Sequence, residues 1–153
     1  MCKYGFIYRR SFLKGGNCMK LSGTYSVVKW DESPIRPDSD GMRSTRASVE
    51  LLFAGDIDAQ ALVEYIMFYT NFDDRDMHNS QAKYVGHIQI VGNVKGKVGS
   101  FAMTDSGSFQ GGLASSQVEI IAGSGTGDLA TVSGFGSYQA DSQGCKWELE
   151  LEF

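Results

Sequence analysis

The last nine residues, CKWELELEF, constrain the fold most. Cys145, Trp147, Leu149, Leu151 and Phe153 fall on one parity, and Lys146, Glu148, Glu150 and Glu152 on the other. Successive side chains of a β-strand point to opposite faces, so this segment has one dry face and one wet face. Such a strand belongs to an antiparallel sheet with one solvated side. It needs hydrogen-bonding neighbours, and the body of the chain supplies them.

Leu21 to Asp31 (LSGTYSVVKWD) is rich in β-branched and aromatic residues and reads as the first strand. Pro34 and Pro37 then sit with Asp38, Ser39, Asp40 and Gly41, a loop composition. Met42 to Phe53 reads as a strand, closed by a turn at Gly55-Asp56. Gln60 to Asn71 (QALVEYIMFYTN) is nearly continuously apolar, which suits a buried helix or a strand covered on both faces. Its Val, Ile, Tyr and Phe content and its lack of a cap favour a strand. Phe72 to Ser80 is a polar loop. Further strands are expected at Gln81–Val91, Lys95–Thr104, Gly107–Gly111, Ala114–Ile121, Ala130–Ala140 and Cys145–Phe153.

Thirteen of the 19 glycines lie beyond Val85, where they mark tight turns and corners. No segment leaves room for the crossovers of a parallel sheet. The expected fold is therefore all-β, an antiparallel meander β-barrel of about eight strands. Closure removes the sheet edges that would otherwise aggregate. A two-sheet sandwich is the alternative. An eight-stranded barrel has an interior wide enough for side chains or one small ligand.

Charge separates a head from this body. Of 14 basic and 18 acidic residues, five basic ones (Lys3, Arg9, Arg10, Lys14, Lys20) and no acidic one lie within residues 1–20, leaving nine basic against 18 acidic beyond. The expected division is a basic, poorly ordered extension over residues 1–18 and a single domain over residues 19–153. A formal net charge of −4 argues against generic nucleic-acid binding. No apolar run approaches the ~20 residues of a membrane helix, and the head lacks the apolar segment of a secretory signal. Cys2, Cys18 and Cys145 form an odd set without a CxxC spacing, as expected of reduced thiols in the cytoplasm. Neither they nor His78 and His87 have metal-site spacing, so no metal and no cofactor is expected.

The stretches GTYSVVKWDE (23–32), Gly55-Asp56, Tyr84-Val85-Gly86, GSF (99–101), Phe109 with Gly111-Gly112, GSGTGDL (123–129), GFG (134–136) and the terminal alternating strand occur in this order. Together they resemble a bacterial family of uncharacterised small proteins, the domain of unknown function numbered 3224, over about residues 21–153. The resemblance implies a β-barrel like that of plant allene oxide cyclase. It implies no particular activity.

Site candidates are few. Glu64 lies within LVEYIMFY, where an ionised carboxylate is costly unless paired, so it is the weak catalytic candidate. The competing reading pairs it with Arg46 on a wet face. Trp30, Glu64, Tyr65 and Tyr84 are the candidate ligand-binding residues, and Trp30, Tyr65, Tyr69 and Tyr84 are the aromatics expected to line an apolar cavity, with hydroxyls that orient a guest. GSGTG at 123–127 lacks the Lys-Ser/Thr of a phosphate loop and reads as a tight turn. Asp73, Asp74 and Asp76 match no calcium loop. The expected role is binding of a small apolar or amphipathic metabolite. The alternatives are a cyclase- or isomerase-like enzyme acting on a lipid-derived substrate, and a purely structural dimer. A homodimer is expected on a further ground: Ile66 and Phe68 cannot face inward with Met67 and Tyr69.

Overall fold

The computed structural model describes residues 18–40 and 42–153. Eight strands succeed one another: β1 (Cys18–Pro34), β2 (Arg43–Gly55), β3 (Ile57–Asn71), β4 (Gln81–Val94), β5 (Lys97–Gln110), β6 (Leu113–Ile120), β7 (Ser133–Asp141) and β8 (Gly144–Glu152). Each pairs antiparallel with the next, and β8 returns to β1 to close the barrel. The all-β meander barrel is thus the architecture. Residues 1–17, which hold most of the basic head, lie outside the described residues. Cys18, assigned to that head from the sequence, already belongs to β1.

Alternation builds the wall. In β3, Ile57, Ala59, Ala61, Val63, Tyr65, Met67 and Tyr69 are all buried. The intervening Leu62, Ile66 and Phe68 are 58%, 49% and 44% exposed. The apolar segment is therefore a strand with a dry inner face and an apolar outer face, not a helix. In β8, Cys145, Trp147, Leu149 and Leu151 fill the interior as the parity requires. β5 is longer than the sequence suggests. It runs through Thr104–Gly107 without a break, merging two short expected strands into one.

The two ends of the barrel differ. At the lower end, β5 pairs with β6 only from Met103 onward, which leaves Lys97–Ala102 as an open edge. The segment 123–128 covers it. Asp128 Oδ2, Thr126 Oγ1 and Ser124 Oγ accept from the backbone N–H groups of Val98, Ser100 and Ala102 at 3.0, 3.1 and 3.0 Å. Alternate residues of the glycine-rich run thus cap alternate amides along the open edge of β5, and Leu129 and Val132 behind it are buried in the core. This is the blunting an exposed edge requires. Replacing Ser124 with alanine is expected to cost about 1 kcal/mol. The diagnostic result is faster amide exchange at Ala102, with the upper half of β5 unchanged.

At the upper end β1 separates from β8. The two pair only over Cys18–Gly23, so among the described residues Tyr25–Pro34 has β2 on one side and no strand on the other. A bulge at Val28 shifts the β1–β2 register between Val27 and Lys29. It reverses the parity of the residues beyond it. Trp30 and Glu32 therefore stand opposite buried Val49 and Ala47 and face inward, as Tyr25 does on the other side of the bulge. Among the described residues no helix is long and apolar enough to cross a membrane.

Candidate functional site

The gap beside upper β1 opens into a cavity of about 560 Å³. Its wall carries six aromatic side chains: Tyr25, Trp30, Tyr65, Tyr84, Phe109 and Tyr138. The tip of the β7–β8 hairpin, Asp141–Gly144, forms the rim opposite β1. The volume lies within the ~300–1,000 Å³ typical of small-molecule sites.

The rings hold one another. Tyr65 and Tyr84 meet edge-on with centroids 5.1 Å apart, and Tyr25 and Tyr138 do so at 5.6 Å. Trp30 lies 6.4 Å from Tyr65. Its indole N–H donates to Glu32 Oε2 at 3.0 Å, while Glu32 Oε1 accepts from Thr45 at 2.6 Å and Tyr69 at 2.8 Å. Trp30 is 47% exposed, yet this anchored carboxylate fixes it at the mouth.

Beneath the rings is a polar floor. Tyr65 and Tyr138 both donate to Asp105 Oδ2, at 2.9 and 2.8 Å, and their hydroxyl oxygens are 2.7 Å apart. The Tyr84 hydroxyl shares a hydrogen bond with Ser116 Oγ at 2.6 Å. Glycines make room for this packing. Gly107 faces Tyr84 and Ser116, where a Cβ would lie 2.4–2.5 Å from their side chains. Asp105 is only 2% exposed, and its Oδ1 has no hydrogen-bond partner among the described residues.

Burial sets the protonation states. It pushes the Asp105 carboxyl above its ordinary range, against the opposing influence of Tyr138, Ser116 and Tyr65. It also pushes the hydroxyls of Tyr25, Tyr65, Tyr84 and Tyr138 upward, and the Cys145 thiol to about 11. At neutral pH the tyrosines are neutral hydrogen-bonding groups and Cys145 is an unreactive thiol.

The structure brings together three of the four residues proposed from sequence: Trp30, Tyr65 and Tyr84 line the cavity. Glu64 does not join them. It stands on the outer wall, accepting from Arg46 Nε at 3.1 Å and Ser48 Oγ at 2.8 Å, with 41% of its side chain exposed. These two hydrogen bonds hold its carboxyl below the usual range, first Ser48 and then Arg46. The reason is elementary: Glu64 and Tyr65 are adjacent on one strand and must face opposite ways. A cyclase-like role in which Glu64 steers chemistry inside the barrel therefore loses its carboxylate. Glu64→Gln is expected to leave cavity binding unchanged. Its thermodynamic cost should be no more than about 1 kcal/mol, the usual limit for an exposed pair, as checked by titration and chemical denaturation of the same sample.

The acidic loop residues have a local explanation. Asp73 accepts from the backbone N–H groups of Arg75 and Asp76 at 2.9 and 3.1 Å, and Asp76 from that of His78 at 3.0 Å. Among the described residues no group of three or more His, Cys, Asp and Glu side chains is placed to hold a metal ion.

Comparison with known proteins adds to the fold. A crystal structure of a protein of unknown function from the DUF3224 family of Shewanella oneidensis MR-1 is similar, with a TM-score of 0.67 and 20% identity. The match covers 88% of this chain and 96% of that one. No curated protein matches the chain. The family model described as "Protein of unknown function (DUF3224)" matches residues 21–153, from the first inward-facing leucine of β1 to the C-terminal phenylalanine. The chain belongs to the DUF3224 family.

Proposed function

We propose that the protein binds a small apolar or amphipathic molecule in the upper cavity of its barrel. The observation that carries this reading is the cavity of about 560 Å³, walled by aromatic rings and floored by tyrosine hydroxyls. A structural barrel fills its core with side chains. Here Ile57, Val63, Ile88, Ile90, Val94, Phe101 and Leu151 are buried in the interior, while the upper half keeps open space above an ordered hydrogen-bond network. The apolar wall would contribute affinity by burial, and the few floor hydroxyls would orient the guest.

The test uses N-phenyl-1-naphthylamine, an uncharged fluorescent probe of apolar sites. Saturable binding to the native protein, lost in Ala140→Phe, is the expected result. Ala140 lines the cavity, and the larger ring would fill it. Absence of saturable binding, or equal binding by Ala140→Phe, would remove this reading. Native mass spectrometry of protein purified from its source then identifies any retained molecule.

A second reading concerns the outer wall. Ile66 lies opposite Val85 across the β3–β4 pairing, 49% and 56% exposed, with Leu62 and Phe68 on the same face of β3. We propose that this face meets a second copy of the chain. Light scattering across a concentration series should show a dimer that Ile66→Lys reduces to a monomer. A wild-type monomer at high concentration would exclude the pairing.

A further inference from the structure

We infer that the cavity selects an organic cation, an amine on an apolar body, over a fatty-acid-type anion of the same length. This inference rests on the cavity-binding reading and narrows its ligand class.

Three observations converge. First, among the described residues the lining contains no Lys, Arg or His, and its one charged member is Asp141 at the rim. An anionic head would enter without a counter-charge, whereas six aromatic faces supply the negative quadrupole that attracts ammonium groups.

Second, the part of the floor bound to Asp105 presents acceptors. The phenolic hydrogens of Tyr65 and Tyr138 are directed to Asp105 Oδ2. A phenol has only one hydrogen to donate, so what each oxygen retains for a guest is lone-pair capacity. A donor head such as an ammonium matches that surface, and a carboxylate, which only accepts, does not.

Third, Asp105 lacks a counter-ion among the described residues. It is 2% exposed, its Oδ1 is unpartnered, and none of the ion pairs among the described residues includes it. A buried carboxylate without a cation is costly, and a cationic guest seated above its tyrosine partners would lower that cost.

The approach to the cavity has the same sign. Segments 31–43 and 72–80, at the open end, carry seven acidic residues against three arginines and His78. Focused negative potential raises the encounter rate of cations and lowers that of anions.

The test is isothermal titration of the full chain at physiological salt with three ligands of equal chain length: decan-1-amine, decan-1-ol and decanoate. The amine should bind roughly tenfold or more tighter than decanoate, with the alcohol between them. Decanoate binding as tightly as the amine, or tighter, overturns the inference while leaving the cavity reading intact. Failure of all three to bind overturns both. Asp105→Asn, with folding confirmed by its thermal melt, should weaken the amine roughly tenfold more than it weakens the alcohol. An unchanged amine affinity in that variant counts against the inference. Should the variant fail to fold, Asp141→Asn at the exposed rim provides the second comparison, with a smaller loss expected for the amine alone.

Discussion

Gly86→Ala is expected to destabilise the barrel by about 3 kcal/mol and to lower its melting temperature by roughly 6–12 °C. Gly86 lies on the inner face of β4, opposite Tyr65 on β3 and Asp105 on β5. A Cβ there would stand 2.0 Å from the Glu64 carbonyl oxygen and 2.9 Å from Tyr65 Cδ1. The first of these is backbone and cannot rotate away. β4 would have to part from β3, breaking ladder hydrogen bonds next to the tyrosine floor.

Gly107→Ala provides the contrast. Its Cβ would meet the Ser116 hydroxyl at 2.4 Å and the Tyr84 ring end at 2.5 Å. Those are side chains, which can shift. A smaller loss of about 1–2 kcal/mol is expected, with Tyr84 displaced into the cavity and binding of the apolar probe reduced. Thermal melts of the two variants, together with probe titration, separate the effects. Equal stability of Gly86→Ala and the wild type would show that this corner does not need the close approach.

The barrel was legible because alternation is a strong signal where one face is wet. The terminal strand, with lysine and glutamates between apolar residues, could be read directly. β3 was harder. From Leu62 to Phe68 its outer face carries Leu62, Ile66 and Phe68, so the polar half of the alternation is missing there and only Glu64 interrupts it. The same feature made Glu64 look enclosed. Its apolar sequence neighbours Val63 and Tyr65 point inward, away from its carboxylate.

Within the site, Tyr65 and Tyr84 were found as aromatics in strand segments. Asp105 was not. Asp105-Ser106-Gly107 has turn composition and divides one long strand into two apparent short ones. The available signal was parity, since Asp105 continues the inward series of Phe101 and Met103. Trp30 reaches the cavity by a route that composition cannot show. Strict alternation from Tyr25 puts Ser26, Val28 and Trp30 on the outer face, and only the bulge at Val28 turns Trp30 inward. A bulge is a property of two strands in register, so one strand's sequence carries little of it. The edge cap at Ser124, Thr126 and Asp128 likewise needs the open flank of β5 to give it meaning.

Asp105 is where the second large effect is expected. In an unfolded chain an aspartate titrates near ~3.9. Burial raises it in the folded barrel. Below the unfolded value both states hold the proton, and the folded state bears no cost for the group. As pH rises through the raised folded value, the folded state must deprotonate a buried group, and stability is lost. Exposed carboxylates that are depressed by their partners, such as Asp56 and Asp73, act in the opposite sense and destabilise as pH falls. The wild-type curve therefore mixes the two, and the difference between wild type and Asp105→Asn isolates the buried group. That difference should move in favour of the asparagine variant as pH rises above the unfolded value, and level off above the raised folded one. Tyr25, Tyr65, Tyr84, Tyr138 and Cys145, which share the cluster with Asp105, are all pushed upward and remain neutral throughout this window. Asp105→Leu separates charge from hydrogen bonding. It removes the acceptor of two buried phenols, which can pair with each other but leave one donor unmet, at about 1–3 kcal/mol whatever the pH. Urea denaturation of the three proteins at pH 4, 5, 6, 7 and 8 distinguishes these contributions. A pH-independent gap between wild type and Asp105→Asn would show that Asp105 keeps an ordinary carboxyl in the fold.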